Sequence, residues 1–518
     1  MNGARAMIQT LTAAGVRVCF SNPGTSEMHF VAALDDVPEM RGVLTLFEGV
    51  ATGAADGYAR IAGGPAATLL HLGPGLGNGI ANLHNARRAH TPVVNIVGDH
   101  ATYHKRYDAP LESDVAGLAG AVSGWYRVSA RADDVAADAA DAVAAAYGPP
   151  GQVATLVLPA DVSWSESAQG PVAPHPIPVA SSTPASSVDA VAKVLKSGEP
   201  AVLLVGGTAL RRRGLVAAGR VCAATGTKLL GETFPACLER GAGLPPLERL
   251  GYFAEFMEAQ LAGARHLVIV GTHSPVSFFA YPGKASDLVP DGCQVHVLAT
   301  LCEDAPGALE ALADAVGAPS DAAPLAASER PARPEGALTM ESFAAAVGAL
   351  LPEEAIVVDE SNTGGLFVPG ATAGAPRHEW LTLAGGAIGQ GLPVATGAAV
   401  AAPDRPVLCL EADGSAMYTL QALWTQAREA SNVTTVILAN HSYAILNLEL
   451  SRVGASAGGP KAADMLDLTR PTLDFVALAR GMGVPAARAT TATELVVELE
   501  RALAEPGPSL VEATLPGL

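Results

Sequence analysis

The sequence predicts an α/β protein built as three doubly wound parallel-sheet domains, on three observations. Short β-branched apolar runs alternate with helical patterns along most of the chain. Its 518 residues correspond to about three domains of ~150 residues. Two stretches rich in Pro, Ala and Ser, "SAQGPVAPHPIPVASSTPASS" and "PSDAAPLAASERPARPEGA", interrupt the alternation and read as linkers. With 49% hydrophobic and 16% charged residues, sizeable buried cores can form.

The first block, 1–165, opens on an amphipathic helix pattern, "MNGARAMIQTLTAAG", without the basic start and apolar core of a secretion signal. Its strands are "VRVCF", "GVLTLF", "AATLLHL", "PVVNIVG" and "VATLVLP", with helices expected over 49–62 and 77–89. The second block, 187–318, carries "PAVLLVGG", "KLLGET", "HLVIVGT" and "QVHVLAT". The third, 338–518, carries "AIVVDES", "PVLCLEADG", "TTVILAN" and "PSLVEATLP".

The net charge of −19 argues against nucleic acid or an anionic membrane as the main partner. Six scattered cysteines without CxxC pairs make neither a disulfide framework nor a zinc site. Asp and Arg interrupt the Ala/Val-rich stretches, so no membrane span is expected and a cytoplasmic protein is.

In "VLCLEADGS" a buried strand stops at Asp413-Gly414-Ser415. Asp-Gly is ordinary turn chemistry; it also stands at the carboxyl end of a strand, where open α/β sheets bind ligands. The next strand ends at Asn440, 27 positions on, about one helix and one strand later. Parallel pairing then brings both side chains to one sheet edge. An Asp carboxylate, an Asn amide oxygen and a nearby main-chain carbonyl make a hard-oxygen set suited to Mg²⁺ or Ca²⁺. Gly414 and Ser415 would open a helix whose first N–H groups face a phosphate.

This Asp-Gly-Ser…Asn pattern resembles the signature of thiamine-diphosphate (ThDP) enzymes. The resemblance implies Mg²⁺ held by Asp413, Asn440 and the carbonyl of Ser442, with Gly414, Ser415 and Tyr443 among the coenzyme-binding residues. The family's Gly-Asp-Gly is Ala412-Asp413-Gly414 here, which keeps the ligand but removes some backbone freedom.

Three further segments carry the resemblance. In "LTLFEGVATGAADGYARIAG", Glu48 taken alone is a helix N-terminal charge. The segment resembles the family's "E…ADGYAR" stretch, which implies that Glu48 holds the aminopyrimidine N1′ and promotes its imino tautomer. "LTLAGGAIGQGLPVATGAAVA" resembles the stretch that supports the bent coenzyme; Ile388 would lie under the bend, and the main chain of Gly386 and Ile388 would bond the pyrimidine edge. "VVDESNTGG" resembles the diphosphate-holding turn and nominates Asn362 and Thr363. On this reading the blocks are a pyrimidine-binding, a central and a diphosphate-binding domain.

Within the family the chain resembles the acetolactate synthase and 2-oxo acid decarboxylase branch, and especially short acetolactate synthase large-subunit-like proteins. This implies decarboxylation and/or carboligation of small 2-oxo acids. A benzoylformate decarboxylase-like enzyme for a larger aryl or branched acid is the alternative, and a non-catalytic ThDP-binding homologue a second. "SNPGTSEMHF" resembles that decarboxylase's loop and puts Thr25 at its substrate-contacting serine. "LLHLGPGLGN" puts His71 at its proton-transferring histidine. A lone histidine on an apolar strand is ordinarily a core residue; beside a Gly-rich turn it becomes a candidate acid.

Other features point less sharply. The decarboxylase's second active-site histidine has no counterpart, since "THSPVSFFAYPG" offers Phe278 and Phe279, with His273 upstream. Pro110-Leu111 replaces the Phe-Gln of acetolactate synthases. Arg211, Arg212 and Arg213 would suit an FAD phosphate but read as a solvated basic turn, so FAD is not expected. An NAD-binding GxGxxG after the first strand is absent, "NPGTSE" standing there instead. The resemblance also implies a homodimer or homotetramer with active sites at subunit interfaces.

Overall fold

The computed structural model describes residues 1–455 and 459–517. Three sheets form, each with the fully buried runs that parallel strands require when helices cover both faces. The first contains β1 (Val18–Ser21), β2 (Arg41–Leu44), β3 (Ala66–His71), β4 (Val93–Asp99), β5 (Trp125–Val128) and β6 (Val153–Pro159). Its order is β2-β1-β3-β4-β6-β5, and every neighbouring pair is parallel. The chain leaves β1 toward β2 and then returns to build the other side, so the switch point lies between β1 and β3.

The second sheet is β10-β8-β7-β11-β12, from β7 (Ala201–Val205), β8 (Lys228–Gly231), β10 (Glu248–Arg249), β11 (His266–Val270) and β12 (Gln294–Ala299). The third is β17-β18-β16-β15-β13-β14-β9. Six of its strands are β13 (Ile356–Glu360), β14 (His378–Thr382), β15 (Val407–Ala412), β16 (Val433–Ala439), β17 (Ala486–Ala489) and β18 (Ser509–Thr514). The seventh, β9 (Leu238–Arg240), comes from the second sequence block and pairs antiparallel with β14. Sheet membership therefore crosses the block boundary read from the linkers. The switch point of the third sheet lies between β13 and β15.

The first and third units meet through two helices whose small residues allow backbone contact, Glu48–Ala62 and Gly391–Ala401. A Cβ on Gly57 would stand 2.1 Å from the Val394 carbonyl oxygen, and one on Gly397 would stand 1.8 Å from that of Ala54. This accounts for the small residues of "GVATGAADG". Arg60, at the end of the first helix, is buried and joins all three units. It forms a bidentate pair with Asp56 (2.8 and 2.6 Å) and donates to the carbonyls of Thr382 (2.8 Å) and Ala236 (3.3 Å).

Candidate active site

Both switch points collect the predicted residues at the carboxyl ends of strands. In the third sheet β15 and β16 run in register, with Ala412 opposite Leu438. Asp413 and Asn440 follow these ends directly. The His441 N–H donates to Asp413 Oδ2 at 2.6 Å, and the Gly414 N–H to Oδ1 at 2.8 Å. Asn440 Oδ1 accepts from the Ser442 N–H at 3.1 Å. Burial pushes the Asp413 carboxyl up, opposed by those N–H groups, so this is a site where a cation would be favoured. Across the switch point, Asn362 Nδ2 donates to Ser415 Oγ at 3.0 Å, which joins the β13 turn to the β15 turn. Thr363 lies in the same 3-10 turn, Asn362–Gly365. Tyr443 packs over Gly414, where a Cβ would stand 2.5 Å from its ring.

Three turns at these switch-point edges hold a non-glycine residue in the left-handed region: Leu72 (φ 51°), Asn362 (φ 49°) and His441 (φ 56°). Such backbone costs about 1–3 kcal/mol per residue and clusters at functional sites. Leu72 and His441 directly follow the predicted site residues His71 and Asn440, and Asn362 is itself a predicted one.

The 383–391 loop, from β14 to the Gly391 helix, is held on two sides. From the first unit, helix Leu72–Arg88 presents His84 to the Gly385 carbonyl (3.0 Å) and Asn82 to that of Gly389 (3.3 Å). Asn85 bonds both the N–H (3.1 Å) and the carbonyl (2.8 Å) of Ala387. From below, Glu360 accepts the N–H groups of Gly389, Gln390 and Gly391. Burial pushes the Glu360 carboxyl up to about 7 against these bonds. Among the described residues, the Gly386 carbonyl and the Ile388 N–H take no protein partner. Those are the main-chain groups expected to face a pyrimidine edge, so the loop fits the coenzyme.

In the first sheet, Glu48 begins its helix, buried, with Oε2 accepting from Asn78 Nδ2 at 3.0 Å. His71 ends β3 and Glu27 follows β1 across the switch point. The His71 Nδ1 lies 2.8 Å from Glu27 Oε2, which also accepts the Gly24 N–H at 2.7 Å. Glu27 is fully buried. Ser26 Oγ stands 3.4 Å from the same imidazole nitrogen, whereas Thr25 is exposed at the start of its 3-10 turn. The hydroxyl that reaches His71 is thus that of Ser26.

Sequence reasoning passed over Glu27, Glu360, Asn78, Asn82 and Asn85. The three asparagines share one face of a helix at i, i+4 and i+7, a readable polar stripe. Glu360 had no such signal, because a strand-end glutamate looks like the start of a loop.

The central unit contributes an aromatic wall. Phe278 packs against Gly386, where a Cβ would stand 2.8 Å from its ring. Its ring centroid lies 4.9 Å from Phe279, 5.2 Å from Tyr252 and 5.7 Å from Phe234. The wall continues to Arg452, which stacks over Phe253 and Tyr281 and ends the helix that follows Ser442, Ala444–Arg452. His273 neighbours His90 instead. The Arg211–Arg213 turn is not simply solvated: Arg211 pairs with Glu379 (3.0 Å) and donates to the Arg60 carbonyl (2.8 Å), and Arg213 pairs with Glu310 (2.6 Å).

Residues 1–118 match the family model described as thiamine pyrophosphate enzyme, N-terminal TPP binding domain, and residues 370–513 match its C-terminal TPP binding domain. A Mycobacterium tuberculosis protein with the provisional name acetolactate synthase large subunit IlvX is 64% identical over 100% of both chains. A benzoylformate decarboxylase of Pseudomonas aeruginosa is 32% identical over 96% of each. The solved structure of a ThDP-dependent 4-hydroxybenzoylformate decarboxylase from Rhodococcus jostii RHA1 superposes with a TM-score of 0.88, at 25% identity over 100% of both chains. The chain belongs to the thiamine pyrophosphate enzyme family, and is a ThDP-dependent enzyme with acetolactate synthase-like and benzoylformate decarboxylase-like relatives.

Proposed function

We propose that the chain catalyses ThDP- and Mg²⁺-dependent, non-oxidative decarboxylation of 2-oxo acids, with carboligation as a second outcome at the same site. The observation that carries this reading is the His71–Glu27 pair at 2.8 Å, set at the switch point of the unit that bears Glu48. An ionised carboxylate only accepts, so Glu27 places the proton on Nδ1 and leaves Nε2 as the nitrogen that exchanges one.

Asn362, Thr363, Gly414 and Ser415 would hold the diphosphate, with Tyr443 alongside, and Asp413, Asn440 and the Ser442 carbonyl would hold Mg²⁺. The Gly386 carbonyl and Ile388 N–H would take the pyrimidine edge, the Ile388 side chain would support the bend, and Glu48 would meet N1′. When bound, the coenzyme supplies a nucleophilic carbon and a sink for the electrons left behind by CO₂. The protein's own work is positional and protonic. Asn78 aims the Glu48 carboxylate. Thr25 offers a hydroxyl to the substrate carboxylate. His71 returns a proton after CO₂ leaves, and its timing decides between aldehyde and acyloin.

The wall of Phe278, Phe234 and Tyr252 beside Gly386 favours a substrate with a larger, aromatic side chain. The acetolactate synthase-type reading is favoured by the name of the 64%-identical relative. A non-catalytic homologue is disfavoured by the retained Glu48, Asp413 and Asn440.

FAD is not part of this reading. At the carboxyl ends of β7 and β8 the Glu232 carboxyl takes the Gly207 N–H (3.0 Å) and the Thr272 hydroxyl (2.8 Å), filling the crevice where an open sheet would present donors to a phosphate. Exposed apolar side chains rim both halves, Met28 and Leu46 on one and Leu366, Phe367, Met417 and Tyr418 on the other. They suit burial against a second copy, so the working unit is a homodimer or homotetramer with sites between subunits. No helix among the described residues is long and apolar enough to cross a membrane, and we place the protein in the cytoplasm.

The test is a panel of pyruvate, 2-oxobutyrate, branched and aryl 2-oxo acids, with CO₂, aldehyde and acyloin measured together for the wild type and His71→Ala. The variant should lose aldehyde formation by about 10²-fold and acyloin formation by less. Equal losses would count against proton return by His71.

A further inference from the structure

We propose that Glu360 is a positioning residue that sets the coenzyme-binding loop in its working shape. The inference rests on the reading that the Gly386 carbonyl and the Ile388 N–H take the pyrimidine edge.

Glu360 ends β13 and is buried, 2% exposed. Its two oxygens accept three successive loop N–H groups, Gly389 on Oε1 at 2.6 Å and Gln390 and Gly391 on Oε2 at 2.8 and 2.5 Å. These are donors at the start of a helix that have no partner within it. Without the carboxylate they would point into a dry interior. Glu411, opposite Glu360 on β15, packs under the same loop, where a Cβ on Gly391 would stand 2.0 Å from its Oε2.

The two flanks divide the work. Asn82, His84 and Asn85 hold Gly385, Ala387 and Gly389 from the side. Glu360 fixes the three residues that follow Ile388. The unpartnered Ile388 N–H therefore stands between two fixed points, and its direction depends on both. Asp413, Asn440 and Asn362 make no bond to Glu360 among the described residues, so the proposed metal ligands are held independently of it, and only the Ser415 hydroxyl, beside the Glu360 carboxyl, links it to the diphosphate end.

This division provides the test. Glutamine keeps the shape of Glu360 but turns one acceptor into a donor facing an N–H, so the loop is repelled. Titrations of the full-length protein with Mg²⁺ would compare ThDP with inorganic diphosphate, which engages only the metal and diphosphate end. Glu360→Gln should weaken ThDP about tenfold or more and inorganic diphosphate by no more than about threefold, the share passed on through Ser415. Glu360→Asp, a charge-keeping but shorter variant, should fall between; it also serves if the glutamine variant does not fold. Wild-type affinity for ThDP in the folded variants would overturn the proposal, and so would equal weakening of both ligands. If the wild type itself binds ThDP no more tightly than diphosphate, the pyrimidine-edge reading fails first.

Discussion

The His71 Nδ1 and the Glu27 Oε2 lie 2.8 Å apart although 44 positions separate the residues. The parallel pairing of β1 with β3 brings them together, Ser21 opposite Leu69. The carboxylate fixes the imidazole tautomer. Glu27→Gln should therefore lower kcat by about 10²-fold, with KM for the 2-oxo acid close to wild type. Steady-state kinetics checks this, and a rise in KM with kcat unchanged would move Glu27 from proton handling to substrate binding.

The metal end makes a second prediction. Asp413 is the one carboxylate in the proposed ligand set, so Asp413→Asn should raise the Mg²⁺ concentration needed for half-saturation by at least ~10-fold. Dialysis against a chelator should abolish wild-type activity, and added Mg²⁺ should restore it. Full activity in the chelator would remove the metal from the account.

A third prediction concerns pH. Burial, with a smaller contribution from Arg240, lowers the His378 pKa to about 4, against an ordinary 6.5. Between those values the unfolded chain holds more protons at this site than the folded protein. The stability from neutral His378 is thus complete above pH 6.5 and lost as the pH falls through 4, about 3 kcal/mol in all. His378→Leu should flatten the fall in denaturation midpoint between pH 7 and 4; an unchanged slope would show that other groups cause it.

The Arg60–Asp56 pair yields a fourth. Arg60→Met leaves Asp56 charged and alone in the interior and strips donors from Thr382 and Ala236. A loss of about 3–5 kcal/mol is expected by denaturant unfolding. Lysine should not rescue it, because a point charge cannot reproduce the bidentate fork. A loss below ~1 kcal/mol would deny Arg60 its role in joining the units.

Much of this was legible in the chain. The fully buried runs of β4, β6 and β16 announce parallel strands, and Asp413 and Asn440 stand where that pattern sends them. The strands not anticipated are β5, β9, β10, β14 and β17. β10 is two residues long, β9 is an antiparallel edge, and β17 is "AARA", an alanine-rich run with little strand propensity. Long-range partners such as Glu27 to His71 and Glu360 to the 389–391 N–H groups depend on strand order, which local pattern does not encode. The Ser26 hydroxyl, 3.4 Å from His71 Nδ1, is another such partner that the motif does not reveal.

The most direct test of the central claim is ThDP- and Mg²⁺-dependent CO₂ release from the 2-oxo acid panel by the wild type and by Glu48→Gln. CO₂ is expected from at least one acid, with an aryl acid among the best, and a loss of about 10³-fold or more in the variant. No CO₂ from any acid by ThDP-loaded wild type, or unchanged release by Glu48→Gln, would contradict it.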